Sequence, residues 1–160
     1  MKYFDYYHSP LGNMVIIEED NAVIQLSLTS KKTDNEYLSS DTMTHTTTAL
    51  LHTAKSQLTE YFQGKRKTFD LPLAPSGTPF QKKVWQALCQ IPYGETRSYK
   101  EIAIQIGNPK GCRAVGMANN RNPIMLIIPC HRVIGSNGTL VGYAGGLDIK
   151  KWLLEYEKEN

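Results

Sequence analysis

No part of this sequence is apolar for anything near the roughly 20 residues that a membrane helix requires. The N-terminus, Met1-Lys2-Tyr3-Phe4-Asp5, meets an acid at its fifth position and shows no hydrophobic run of leader length. Cysteine is scarce. Cys89, Cys112 and Cys130 are odd in number and irregular in spacing, which argues against a disulfide scaffold and for reduced thiols in a cytosol. Excess charge is also small, with a formal net charge of +3. The expectation from these absences is a cytoplasmic chain without a membrane partner.

What is present is unevenly spread. Residues 1–75 carry 7 Lys/Arg against 9 Asp/Glu, and residues 76–160 carry 11 against 6, so the two halves stand at −2 and +5. The basic excess therefore falls in the half that contains Cys130, as a modest phosphate-binding surface would require. An ordinary soluble surface with uneven charge would look the same on this count alone. Ala74-Pro75-Ser76-Gly77 is the best boundary, which divides the chain into domains 1–75 and 76–160.

The first half reads as α/β. Tyr3–Tyr7, Met14–Ile17 and Ala22–Leu28 have the β-branched and aromatic character of strands, separated by turns at 9–13 and 19–21. Residues 29–46 are polar and Ser/Thr-rich, and read as a surface connection in which Tyr37 and Met43 make only loop contacts. A helix is expected over 48–63, with Gly64 as its stop.

The second half is mostly helical. Thr78-Pro79 opens a helix to about Gln90, on which Cys89 reads as a small core residue. Ser98, with Glu101 three residues on, caps a second helix from Tyr99 to Ile106. Gly107-Asn108-Pro109 ends it, and a third runs over about 110–119. Two short helices across a glycine turn form a helix-turn-helix pattern. The second is unusual in that Gly111, Cys112, Ala114 and Gly116 are small and only Arg113 is long. Such a face suits close approach to a backbone or narrow groove, or plain helix–helix packing. Asp148 is expected to cap a last helix whose stripe is Ile149, Trp152, Leu153 and Tyr156. Glu157 falls one turn after Leu153, at the core margin, an unusual place for a carboxylate.

The chemistry concentrates at Pro129-Cys130-His131-Arg132-Val133. The apolar run Ile124–Ile128 stops at a proline, which fixes φ and removes a donor, so the thiol is presented at a turn. A free thiol is only a few per cent ionised at neutral pH, and the adjacent imidazole is a candidate base. On the residues alone, a cysteine hydrolase remains open, although it would need an oxyanion hole and leaves Arg113 unexplained.

The pentapeptide resembles the active-site motif of the O6-alkylguanine-DNA alkyltransferases. Ser98-Tyr99, Gly107-Asn108-Pro109, Arg113-Ala114-Val115-Gly116, Gly142-Tyr143-Ala144-Gly145-Gly146 and Lys150-Lys151-Trp152-Leu153-Leu154 are similar to that family in order and separation. The similarity is strong over roughly 78–158 and weak over the first 75 residues.

That resemblance implies an N-terminal RNase H-like α/β domain with an antiparallel sheet. It also implies a C-terminal, mostly helical, winged-helix-like domain with a helix-turn-helix. It implies irreversible, stoichiometric transfer of an alkyl group from O6-alkylguanine, and possibly O4-alkylthymine, in double-stranded DNA to Cys130. His131 would be the base through a water, Glu157 its partner, and Tyr99 the donor to guanine N3. The carbonyls of Cys130 and Val133 and the N–H of Ala144 would hold the base, with Tyr143 and Lys150 nearby and Asn122 bracing the turn. Arg113 would fill the stack left by a flipped base, and Ser98, Lys110, Ala114 and Gly116 would meet the minor groove. A monomer without cofactor is expected. Some members bind zinc in the N-terminal domain, but this half has no cysteine, and His8, His45 and His52 lack ligand spacing, so no structural zinc is expected. Within the same fold, a lesion-binding protein without catalysis is the alternative; the presence of Cys130 argues against it.

Overall fold

The computed structural model describes residues 1–140, 143 and 146–160, with only the backbone of Lys31 and Lys32 described. The chain divides into two compact units, Met1–Pro75 and Ser76–Asn160.

In the first unit, strands β1 (Lys2–Ser9), β2 (Gly12–Glu19) and β3 (Ala22–Leu28) form an antiparallel meander. Helix α1 (Lys31–Leu38), strand β4 (Met43–His45) and helix α2 (Ala49–Phe62) follow. The sheet order is β3-β2-β1-β4, and β4 joins β1 in parallel, so the sheet is antiparallel in three strands and mixed at its edge. The polar stretch 29–46 is therefore not a plain connection. Ser30 caps α1, and Tyr37 and Met43 pack against the buried cluster Phe4, Val15 and Ile17. Tertiary contact, not local propensity, holds these two short elements.

The other sheet face lies under α2. β2 is buried on both sides, from Met14 to Ile17, because both faces are covered. α2 presents Leu51, Ala54, Leu58 and Tyr61 inward, and two buried carboxylates tie it to the strands. Asp5 accepts from Lys55 Nζ at 3.0 Å and from Thr47, and lies 3.1 Å from His45 Nε2. Glu18 accepts from Thr48, the residue whose hydroxyl also caps α2.

In the second unit, α3 (Pro79–Leu88) opens with a capping box between Thr78 and Gln81. Strand β5 (Arg97–Ser98) leads into α4 (Tyr99–Gln105), and α5 (Cys112–Asn120) completes the helix-turn-helix. Gly107 at the turn has φ 82°, a left-handed conformation that favours glycine. Trp85 Nε1 donates to the Ala118 carbonyl at 2.8 Å, locking α5 to α3. Strand β6 (Val133–Ile134) pairs in parallel with β5, and α6 (Leu147–Glu159) closes the unit.

Three local expectations are corrected. Cys89 is exposed at the end of α3, just beyond the buried Val84, Trp85 and Leu88. Asp148 lies inside the first turn of α6, whose cap position is Gly146. Trp152 is 37% exposed and stacks on Tyr156 at 5.0 Å rather than entering the core. Among the described residues no helix is long and apolar enough to cross a membrane.

Candidate active site

The reactive turn is built by one side chain and one strained residue. Asn122 Nδ2 donates to the carbonyls of Ile124 (3.2 Å) and Ile128 (2.8 Å), and its Oδ1 accepts from Ile124 N at 3.0 Å. The run Ile124–Ile128 is buried, as the apolar pattern requires, but it coils in turns instead of extending. Leu126 takes φ 70°, a left-handed conformation costing roughly 1–2 kcal/mol for a residue with a Cβ. Pro129 then hands the chain to a 3-10 turn, Cys130–Arg132, with Cys130 N donating to Ile128 O at 2.7 Å.

The β5–β6 pairing sets the site's width. Arg97 lies opposite Val133 and Ser98 opposite Ile134, so Tyr99 begins α4 beside the strand that leaves the reactive turn. Ser98 serves as the cap: its side chain accepts from Glu101 N at 3.0 Å, and Glu101 accepts from Ser98 N at 3.1 Å.

Cys130 is 5% exposed, and burial pushes its thiol above the ordinary value, against the pull of Asn122, the Lys150 ammonium and Tyr143. The thiol is therefore neutral at rest and needs a base. His131 is fully buried, and burial holds its imidazole below the ordinary value, against the raising effect of Glu157. His131 Nε2 lies 2.8 Å from Glu157 Oε2. Burial alone would raise the Glu157 carboxyl, but hydrogen bonds from His131 and Arg132 outweigh it and keep it below the usual carboxylate range.

Lys150 is fully buried, and its Nζ donates to Tyr99 Oη at 3.4 Å and lies 5.7 Å and 5.9 Å from the Tyr99 and Tyr143 ring centres. Burial pushes this lysine down to about 8, with Cys130 opposing. The phenols of Tyr99 and Tyr143 are both raised, first by burial and then by the Cys130 charge.

Cys130, His131, Glu157, Asn122, Tyr99, Lys150, Tyr143 and the buried Val133 thus make one centre. Beside it, Tyr99, Lys100, Cys112, Arg113, Gly116, Met117, Asn120 and Ser136 line a groove of about 530 Å³. A Cβ on Gly116 would meet the Tyr99 ring at 3.9 Å, an ordinary contact, so glycine there keeps the groove open rather than relieving a clash. Arg113 and Ala114 are exposed on α5. Lys110 is exposed just ahead of that helix and does not line the groove. Ala144 lies outside the described residues. No group of three His, Cys, Asp or Glu side chains gathers as a metal site among the described residues.

Two residues escape sequence reasoning. Arg132 places Nε on Glu157 Oε1 at 2.8 Å and Nη2 on Oε2 at 2.9 Å. Asn119, 1% exposed on α5, donates to the Cys130 carbonyl at 3.3 Å. Each partner is distant in sequence, so Arg132 is marked only by its place in the Pro129–Val133 motif, and Asn119 only by lying in the stretch 117–121 that the family resemblance sets at the border of the site.

Comparison with known proteins gives a consistent picture. Residues 79–159 match the DNA binding domain of 6-O-methylguanine DNA methyltransferase, and residues 2–75 match its ribonuclease-like domain. The methylated-DNA–protein-cysteine methyltransferase of Methanosarcina barkeri is 52% identical over 158 residues, covering 99% of this chain and 98% of that protein. The constitutive enzyme of that name from Bacillus subtilis is 49% identical over 159 residues, covering 99% and 96%. The crystal structure of Mycobacterium tuberculosis OGT in complex with DNA superposes with a TM-score of 0.87 at 44% identity, covering 98% of this chain and 93% of that one.

Proposed function

The chain belongs to the 6-O-methylguanine DNA methyltransferase family, and from that premise we propose that it repairs DNA by moving an alkyl group from O6-alkylguanine to its own Cys130, once per molecule. The observation that carries this reading is a buried thiol on the Asn122-braced turn, one residue from an imidazole backed by Glu157.

The reaction is a direct displacement. The thiol gives its proton to His131, the sulfur–carbon bond forms as the carbon–O6 bond breaks, and the electron pair departs with guanine. Tyr99 donates a proton towards guanine N3, so the base leaves neutral and the total charge is unchanged. The product thioether has no leaving group that water can displace, which makes one turnover the limit. The neutral resting states of both Cys130 and His131 support this order, because proton transfer then accompanies attack instead of preceding it.

The base contacts are those that the family resemblance implies. The carbonyls of Cys130 and Val133 accept from the guanine amine, the Ala144 N–H donates to O6, and Tyr143 and Lys150 wall the pocket. The target must leave the duplex, at a cost of a few kcal/mol. Arg113, exposed at the groove edge, replaces it in the stack, while Ala114, Gly116, Lys110 and the Ser98-capped helix start approach the minor groove and its phosphates. Ser76–Asn160 carries DNA binding and transfer, and Met1–Pro75 forms the ribonuclease-like domain. The protein works as a cytoplasmic monomer, without cofactor.

A non-catalytic lesion binder of this fold is not favoured, since it would have no use for a thiol with its own base. Titration with duplex containing O6-methylguanine tests the reading. Lesion loss should stop at one equivalent per protein; continued turnover would refute it.

A further inference from the structure

Arg132 is 7% exposed, and all three of its nitrogen groups are engaged. Nε and Nη2 grip both oxygens of Glu157 at 2.8 Å and 2.9 Å, and Nη1 donates to the Ile91 carbonyl at 2.8 Å. The guanidinium also lies 5.6 Å from the centre of the Tyr93 ring. A two-point grip of this kind fixes the plane of a carboxylate, which a single ammonium cannot do.

The same carboxylate faces His131 Nε2 at 2.8 Å. An ionised carboxylate only accepts, so that nitrogen must carry the proton. His131 Nδ1, buried and without a hydrogen-bond partner among the described residues, is then the basic nitrogen. Were Glu157 free to rotate or to take a proton, both the tautomer and the ring orientation would be lost.

We infer that Arg132 is a positioning residue for alkyl transfer: it holds Glu157 as an oriented anion, so that His131 keeps its proton on Nε2 and presents Nδ1 to the Cys130 thiol. The inference rests on the function proposed above, but its tests are separable from it. Besides Arg132, the titratable groups that act on His131 or Glu157 are Lys150 on α6, Tyr143 ahead of it and Tyr93 after the end of α3, while Cys89 at the end of α3 faces Arg132 itself. Of these, Arg132 and Lys150 lower the His131 basicity, and Glu157 raises it. Removing Arg132 should therefore move the acid limb of the rate profile to higher pH.

The experiment measures alkyl transfer to Cys130 from free O6-benzylguanine, a substrate that demands no base flipping, from about pH 5 to about pH 9. Wild type, Arg132→Lys, Arg132→Met, Glu157→Gln and the Arg132→Met/Glu157→Gln pair are compared. The expected results are a loss of at least about tenfold for Arg132→Met, an intermediate loss for Arg132→Lys, and an acid limb displaced upward in Arg132→Met but not in Arg132→Lys, which keeps the cation. In the Glu157→Gln background, Arg132→Met should cost less than about twofold more, because the anion it orients is already gone. Equal losses in the two backgrounds, or an unmoved acid limb with slower transfer in Arg132→Met, would overturn the inference. Should Arg132→Met fail to fold, a wild-type rate in Arg132→Lys, which cannot grip both carboxylate oxygens, would do the same. Wild-type protein that takes no alkyl group at Cys130 would instead overturn the proposed function.

Discussion

Asn122 and Ile128 are joined by a 2.8 Å hydrogen bond from the asparagine amide to the isoleucine carbonyl, two residues ahead of the thiol. With its other two bonds, Asn122 holds a loop that contains a left-handed leucine, so removing it frees a strained turn. Asn122→Ala should lower stability by about 1–3 kcal/mol and slow alkyl transfer, as read from urea midpoints and single-turnover rates. Asn122→Asp keeps the acceptor for Ile124 N and loses both donated bonds. It should fail similarly and push the thiol further up, because it places an anion where the amide now favours thiolate.

The pH dependence follows from two groups with lowered basicity. His131 is held below its ordinary value, so the base is already neutral at pH 7 and the acid limb falls below about 6.5. Lys150, at about 8, loses its proton as pH rises through that value and no longer favours the Cys130 thiolate. Transfer should therefore be flat near neutrality and decline above about 8. In Lys150→Met the alkaline decline should vanish along with part of the rate; a retained decline would assign it elsewhere.

Arg113→Ala should slow repair of duplex O6-methylguanine by at least about tenfold, while transfer from free O6-benzylguanine changes less than about twofold. Only the duplex requires a stack to be refilled. Equal losses on the two substrates would remove the finger role from Arg113.

Asp5 gives the N-terminal unit an acid-sensitive bolt. Burial would raise its carboxyl, but bonds from Thr47, Lys55, the Tyr6 N–H and His45 hold it below the usual range. A folded-state value below the unfolded one adds stability that is present above about pH 4 and lost as pH falls below it. Asp5→Asn should cost about 1–2 kcal/mol at neutral pH, because His45 and Lys55 are partly exposed and their charges screened. The gap from wild type should close in acid when followed by thermal melting, and a constant gap would mean the ion pairs contribute nothing.

Much of this was legible because it is local chemistry. Thr78-Pro79 and Ser98 with Glu101 declare two helix starts, and the structure contains a capping box at each. Glu157 stands out as a carboxylate one turn beyond Leu153, and it is buried on His131. What stayed hidden depends on distant partners. α1 and β4 exist because Tyr37 and Met43 find Phe4 and Ile17, which no window over 29–46 contains. Arg132 stands in the reactive motif without a role of its own until the fold brings Glu157 to it from 25 residues away. The β5–β6 pair is two residues long on each side, too short for any alternation to announce it.

The most direct test of the whole account is the mass of the peptide containing Cys130 after incubation with duplex O6-methylguanine. The account predicts the addition of one methyl group on Cys130, none on Cys89 or Cys112, and no addition in Cys130→Ala despite retained DNA binding. Methyl label on either other cysteine, or lesion loss with Cys130 unmodified, would contradict it.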